Sequence, residues 1–245
     1  MFENLLSKIT YDIALDLGTS TILVYVKGKG IIVNEPSVIT LHKKSKQVLA
    51  VGEEAKRMLG KTPPNMDAIR PLKNGVILDF YATEKLISHY INLINSLPSK
   101  FPKYPKPKIV IGVPSGLTPV ERKAVRDSAL NSGARKVLLV EEPMAAAIGA
   151  GLLIKTPSAN MIVDSGGGTT EIAIISLGGV VVSKSIKMAG DQLDQDIVNY
   201  ARQKYNLLLG ERTAEELKQN FGSATEILSS KSSIPDKFVF QGRDL

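Results

Sequence analysis

Short bursts of apolar residues, most of strand length, punctuate this chain at regular intervals, with polar or glycine-containing turns between them. Tyr11–Leu17, Thr21–Val26 and Ile31–Val33 read as three strands, and Asn34-Glu35-Pro36 is expected to break the set. Ser37–Leu41 and Gln47–Val51 read as a strand pair around the polar turn His42–Lys46. Glu53–Leu59 follows as a short helix stopped by Gly60 and Pro63-Pro64. After a loop at Arg70–Gly75, Ala82–Leu97 predicts a helix with Leu86, Tyr90, Leu93 and Leu97 on one face. Pro98–Pro107 is a Lys/Pro segment, expected to be extended and exposed.

The second half opens with a buried strand, Lys108–Val113, and a turn at Pro114-Ser115-Gly116. Thr118, Pro119 and Glu121 have the spacing of a capping box with proline at the first helical position, and Gly133 ends that helix. Val137–Val140 is the next strand; Glu141 and Glu142 stand at its end, and Pro143 starts a small-residue helix through Gly151. Met188–Asp194 opens a helix reaching about Asn206, and Leu207–Gly210 reads as a turn. Thr213–Glu216 predicts a further helix under a second capping box, and Lys237–Gln241 a last strand. At the start, Phe2, Leu5, Leu6 and Ile9 share one helical face over Met1–Ile9, a pattern open to two readings: a membrane-surface anchor or a frayed lead-in to the first strand.

The stretch Met161–Ser176 is the most informative. Gly166, Gly167 and Gly168 sit between two apolar runs, where positive φ and bare N–H groups can form an anion nest. Thr169 and Thr170 add hydroxyl donors. Asp164 beside a phosphate makes sense if Mg²⁺ and its waters lie between the two anions. The competing reading is an ordinary glycine turn.

A second copy changes that balance. When Asp16 is set over Asp164, Gly18 falls on Gly166 and Thr21 on Thr169, and a later glycine turn follows in both, Gly28–Gly30 against Gly178–Gly179. The chain therefore carries an internal repeat of strand, glycine turn, strand, turn, strand. Two such hairpins facing each other can hold one polyphosphate from both sides. Glu141 and Glu142 lie at a strand's C-terminal edge beside a helix, where α/β folds place chemistry; an acid at a helix start is also favoured on dipole grounds alone. Gly190 and Asp191 open a helix, a position that binds anions. Glu215 and Lys218 share a helix face and could hold a ribose or form a surface pair.

Composition narrows the classes. The 245 residues, 43% hydrophobic and 22% charged, suit a globular protein with a sizeable core. There is no cysteine, which excludes disulfides, thiolate metal sites and thiol catalysis and agrees with a reducing cytosol. No apolar run reaches the length of a membrane span and no signal-peptide pattern appears. The net charge of +7 is concentrated at Lys43, Lys44 and Lys46 and at Lys100, Lys103, Lys106 and Lys108. With 5% aromatic residues and no Trp, no base-stacking platform and no nucleic-acid partner is expected. His42 lies in a lysine-rich turn, and His89 has no acidic or second His neighbour to make it a metal ligand.

Taken together, Asp16-Leu-Gly18-Thr19, Asn34-Glu35-Pro36-Ser37, Gly112-Val113-Pro114, Val120-Glu121-Arg122, the run Glu141–Gly149, Asp164–Glu171 and Gly210–Glu215 resemble the MreB family of bacterial actins, which determine rod shape. The similarity runs from about Tyr11 to Leu245. It implies an α/β fold of the actin-like ATPase kind, two duplicated ribonuclease-H-like domains with the second incomplete. By this resemblance residues 1–33 plus 70–142 form the first large subdomain and 34–69 a small inserted one. Residues 143–188 begin the second large subdomain and 189–245 belong to the second small one. Asp16 and Asp164 would face Mg²⁺ through water. Gly18, Thr19, Ser20, Thr21, Gly166, Gly167, Gly168, Thr169, Gly190 and Asp191 would bind the phosphates of ATP, and Glu215 and Lys218 the ribose. Glu142 would polarise the attacking water, with Thr169 as a second catalytic candidate and Glu141 as the weaker acid.

The resemblance further implies slow ATP hydrolysis coupled to self-association into filaments. These would lie in the cytoplasm at the inner membrane surface, attached through Met1–Ile9, and would guide cell-wall elongation proteins. Alternatives are a non-catalytic nucleotide-binding scaffold and another phosphotransferase of the same fold. Ser165 stands where the family usually has an apolar residue, and Ser20-Thr21-Ile22 varies the first turn. The family's chain continues past the position of Leu245, so a partial sequence is expected.

Overall fold

The computed structural model describes residues 12–96, 106–223 and 239–244. The expected Met1–Ile9 helix, Leu97, most of the Lys/Pro segment, and Lys237 of the expected last strand lie outside them. The chain divides into two compact units, Met1–Lys187 and Met188–Leu245.

The first unit begins with an antiparallel meander of β1 (Ile13–Leu17), β2 (Thr21–Val26) and β3 (Gly30–Pro36). Three elements follow as β4 (Ile39–His42), β5 (Val48–Val51) and α1 (Glu53–Met58). β6 (Met66–Ile69) pairs on the far side of β4. A small hairpin, β7 (Leu72–Lys73) and β8 (Val76–Ile77), leads into α2 (Phe80–Ser96). Next come β9 (Lys108–Val113), α3 (Pro119–Asn131), β10 (Lys136–Glu141) and α4 (Glu142–Gly149). A second meander closes the unit: β11 (Asn160–Ser165), β12 (Thr170–Ser176) and β13 (Gly179–Ile186).

The main sheet has the order β10-β9-β1-β2-β3, with β1, β9 and β10 parallel. Strand alternation decides its two faces. Ile13, Leu15 and Leu17 of β1 are buried in a core with Ile22, Val24, Ile109, Ile111 and the α2 residues Leu86, Ile87, Tyr90, Ile91 and Ile94. The residues between them, Ala14 and Asp16, are turned to the opposite face. Asp16 is thus carried at the end of a strand whose other face is locked into the core.

The internal repeat is realised in the hydrogen-bond register. The ladder from Ile13↔Val26 to Leu17↔Ile22 recurs as Met161↔Ile174 to Ser165↔Thr170. Asp16 pairs with Leu23, and Asp164 pairs with Glu171. The outer hairpins differ, with a bulge at Val24/Tyr25 in the first and at Ile174/Ile175 in the second.

Thr118 caps α3 as expected: Glu121 N donates to its Oγ1 (3.3 Å) and its own N–H donates to Glu121 Oε2 (2.8 Å). Several expectations are corrected. β3 does not stop at Asn34 but runs through Pro36, because β2 supplies partners to Thr21 and a proline is tolerated where the strand ends. α2 starts at Phe80, where Asp79 Oδ1 accepts from Ala82 N at 2.9 Å, and its buried stripe uses Ile87, Ile91 and Ile94 while Leu93 is exposed.

The second unit holds α5 (Gly190–Tyr205), β14 (Leu207–Leu208), α6 (Glu211–Phe221) and β15 (Arg243–Asp244). Leu207–Leu208 is a strand rather than a turn, because it pairs with β15, which lies beyond the Lys237–Gln241 expected to form a strand. α6 has no capping box: Gly210 takes the cap position in extended geometry, which places Thr213 inside the first turn.

Candidate functional site

A cavity of about 890 Å³ opens on the outward face of the first unit's sheets. Asp16, Gly18–Thr21, Glu142, Asp164, Gly166–Thr169 and Glu171 line it. Asp16, Asp164, Glu142 and the expected residues Gly18–Thr21 and Gly166–Thr169 are therefore gathered at one place, from both repeats and from the start of α4. Glu141 and Thr170 are not among the lining residues.

The first glycine turn is braced from behind. Ser37, fully buried, donates its Oγ to Gly18 O at 2.6 Å and its N–H to Ser20 O at 3.0 Å. Thr19 Oγ1 accepts from Gly75 N at 3.2 Å. The second turn is closed by Gly166 N donating to Thr169 O (2.9 Å), and the Ser165 and Thr170 hydroxyls pair at 2.8 Å. That pair gives the polar Ser165 a partner on an exposed strand position.

The two turns meet. A Cβ on Gly167 would overlap Ser20 Oγ, and one on Gly168 would stand 2.8 Å from Asn74 N and from Thr19. This corrects the reason for the glycines. None of Gly166–Gly168 has positive φ, so they form no left-handed nest; what Gly167 and Gly168 supply is the missing side chain that lets the two turns approach.

The carboxylates crowd together. A Cβ on Gly112 of β9 would lie 3.5 Å from Asp16 Oδ1 and 3.8 Å from Glu142 Cγ, so the two acids flank that glycine. Burial, then the charges of Asp16, Glu171 and Asp164, push the Glu142 carboxyl up to about 8. Surrounding protein atoms, followed by Asp164, raise Asp16, and enclosure raises Asp164. Among the described residues Glu142 Oε1 is buried without a hydrogen-bond partner. Unlike it, Glu141 is committed: Arg122 Nη2 donates to its Oε1 at 2.9 Å.

Among the described residues no group of three or more His, Cys, Asp or Glu gathers at metal-ligand spacing. Mg²⁺ does not need one, since it is commonly held by one or two carboxylates together with substrate phosphates and water. Asp16 and Asp164, both destabilised as anions where they stand, fit that donor set.

Sequence reasoning missed Glu171. It is 2% exposed and accepts from Ser115 N (3.1 and 3.2 Å) and Ser115 Oγ (3.0 Å). The signal was available: Glu171, Ala173 and Ile175 occupy one row of β12, and a carboxylate in a buried apolar row requires a partner.

In the second unit Lys218 Nζ donates to Gly190 O (2.8 Å) and pairs with Asp194 Oδ1 (2.8 Å). This ties the start of α5, where Gly190 and Asp191 lie, to α6. Glu215 Oε1 accepts from Gln219. Asp194 is a second residue that sequence reasoning passed over.

Comparison with known proteins places this architecture. A family model described as MreB/Mbl protein matches residues 10–245. The cell shape-determining protein Mbl of Bacillus subtilis (strain 168) is 56% identical over 207 residues, 84% of this chain and 61% of that protein. The crystal structure of MreB5 of Spiroplasma citri bound to ADP matches with a TM-score of 0.80 at 40% identity, covering 88% of this chain and 64% of that one. The same protein bound to AMPPNP gives 0.79 at 41% identity, with the same coverage. The chain thus spans about three fifths of the length of the curated relative. Its α/β fold is the actin-like fold of these structures, as the sequence motifs imply. The chain belongs to the MreB/Mbl family of actin-like cell shape-determining proteins.

Proposed function

We propose that this protein binds ATP with Mg²⁺, hydrolyses it slowly, and couples hydrolysis to assembly into filaments. The observation that carries this reading is Glu142. A buried carboxyl with a free oxygen lines one cavity with Asp16, Asp164 and two facing glycine turns. Phosphoryl transfer to water asks little covalent chemistry of a protein; it needs held phosphates, neutralised charge and a positioned nucleophile.

The backbone N–H groups and hydroxyls of Gly18–Thr21 and Gly166–Thr169 bind the phosphates. Asp16 and Asp164 would hold Mg²⁺ through water, and the ion would supply the positive charge that offsets the carboxylates and the phosphate oxygens. Once the charge of Mg²⁺ offsets the neighbouring carboxylates, Glu142 gives up the proton that burial and those charges hold on it. As the anion it polarises the attacking water, which Thr169 orients. Glu141, paired with Arg122, takes no part. Gly190 and Asp191 are further phosphate contacts and Glu215 and Lys218 ribose contacts, on the family resemblance. AMPPNP in the Spiroplasma citri relative supports ATP as the nucleotide. The division into subdomains 1–33 plus 70–142, 34–69, 143–188 and 189–245 belongs to the same proposal.

Filaments at the inner face of the cell membrane, anchored through Met1–Ile9 and guiding cell-wall elongation proteins, complete the reading. The apolar face of that segment and the net charge of +7 suit an anionic lipid surface. The test is phosphate release and sedimentation with Mg-ATP, with and without anionic vesicles. Release together with pelleting that needs both Mg²⁺ and ATP supports the proposal; absence of both under every nucleotide and lipid condition sinks it.

A further inference from the structure

Glu141 and Glu142 are neighbours at the β10–α4 junction, yet one is tied down and the other is free. What ties Glu141 continues beyond it. Arg122 Nη2 donates to Glu141 Oε1 (2.9 Å) and to Ser115 O (3.3 Å), and its Nε donates to Leu117 O (3.4 Å). One guanidinium therefore clasps the strand end that precedes Glu142 and the Pro114–Leu117 turn after β9. Both partners of the ion pair are about two thirds buried, with side-chain exposures of 31% and 32%, and the planar fork serves several acceptors at once.

The same turn reaches the second repeat. Ser115 gives its N–H and hydroxyl to Glu171, which faces Asp164 across the β11–β12 ladder and follows the hairpin that carries Gly166–Thr169. The chain of contacts Glu141–Arg122–Ser115–Glu171 thus joins the peptide that projects Glu142 to the hairpin that carries the second glycine turn.

We propose that Arg122 and Ser115 are positioning residues, whose clasp on Glu141 and Glu171 sets Glu142 at its working distance from the Gly166–Thr169 turn. The proposal rests on the reading of Glu142 as the group that activates water. Arg122 and Ser115 reach the second glycine turn through Glu171, so loosening the clasp acts on the placement of Glu142 relative to that turn. Small misplacements of a reacting group are costly, on the order of a hundredfold for about 1 Å.

The test measures phosphate release under saturating Mg-ATP, affinity for a fluorescent ATP analogue, and melting temperature. The proteins compared are wild type, Arg122→Lys, Ser115→Ala, Ser115→Thr, Glu171→Gln and Glu142→Ala. Arg122→Lys keeps the charge but loses the fork; it is expected to lower kcat by roughly tenfold to a hundredfold with analogue affinity within about threefold of wild type. Ser115→Ala should lower kcat in the same direction, and Ser115→Thr, which restores the hydroxyl, should recover it. Glu171→Gln, whose amide oxygen still accepts from Ser115, should lower it less than Ser115→Ala. Wild-type kcat in both Arg122→Lys and Ser115→Ala overturns the proposal. So does a loss of kcat that always comes with equal losses of affinity and melting temperature, which marks a merely structural role. If Glu142→Ala itself releases phosphate like wild type, the underlying reading fails, and that result is visible without any clasp variant.

Discussion

The two meanders share a hairpin register but differ in what stands behind it. In the first, Asp16 is opposed by Leu23, and the turn is braced through Ser37 and Gly75. In the second, Asp164 is opposed by Glu171, and the brace comes from Ser115. The front of each copy keeps an acid followed by a glycine turn, as the proposed grip on one polyphosphate requires. The back is free to differ, because each copy packs against different elements. The first is one part of a five-stranded sheet with helices over its inner face; the second leans on α4 through Ala147, Ala173 and Ile175.

The largest expected effect tests whether both fronts are needed. Asp16→Asn and Asp164→Asn should each reduce Mg-dependent phosphate release by roughly a hundredfold or more, as loss of a charge-holding group at a phosphoryl-transfer site does. Wild-type release from either variant would show that only one meander serves the chemistry.

The glycines offer a finer contrast. Gly167→Ala and Gly168→Ala force a methyl into Ser20, Thr19 or the Asn74 backbone and should cost about 1–3 kcal/mol in urea unfolding. Gly166→Ala meets only Thr169 O at 3.7 Å and should cost much less. Equal costs at all three positions would mean that the two turns do not meet.

The crowded acids predict a pH dependence. Glu142 is raised from near 4.5 to about 8, so the folded protein holds a proton that the unfolded chain has released. Its contribution to stability is full below pH 4.5 and is lost as pH rises to about 8. Without Mg²⁺, Glu142→Gln should therefore flatten the fall in melting temperature over that window. Glu171→Gln should lower the Glu142 carboxyl's affinity for its proton by removing one of the charges pressing on it.

The smallest effect concerns the outer turn of the second meander. Leu177 (φ 52°) and Gly178 (φ 78°) both lie in the left-handed region, which a two-residue hairpin loop favours but leucine does not. Leu177→Asn should raise stability by about 0.5–1 kcal/mol in thermal or urea unfolding; a loss would argue that this turn is held by other contacts.

Local rules made much of this legible. Thr118 and Glu121 announced their cap, and setting Asp16 over Asp164 exposed the repeat. What stayed hidden depends on contacts between distant residues. Leu207–Leu208 becomes a strand only because Arg243–Asp244 comes alongside. The use of Gly167 and Gly168 as close-approach sites depends on Ser20 and Asn74, far away in sequence. The family resemblance already preferred Glu142 to Glu141, but the physical reason, that Arg122 takes Glu141, is visible only in the fold. Lys218 shows its bond to Asp194 and Gly190 O only once α5 and α6 are packed.

The central claim is that Glu142 turns a phosphate clamp into a hydrolytic site, and a single comparison tests it most directly. Phosphate release and binding of a fluorescent ATP analogue are measured side by side for wild type and Glu142→Ala with Mg²⁺. The account predicts unchanged binding with release reduced by roughly a hundredfold or more. Equal release from the two proteins, with binding intact, would contradict it.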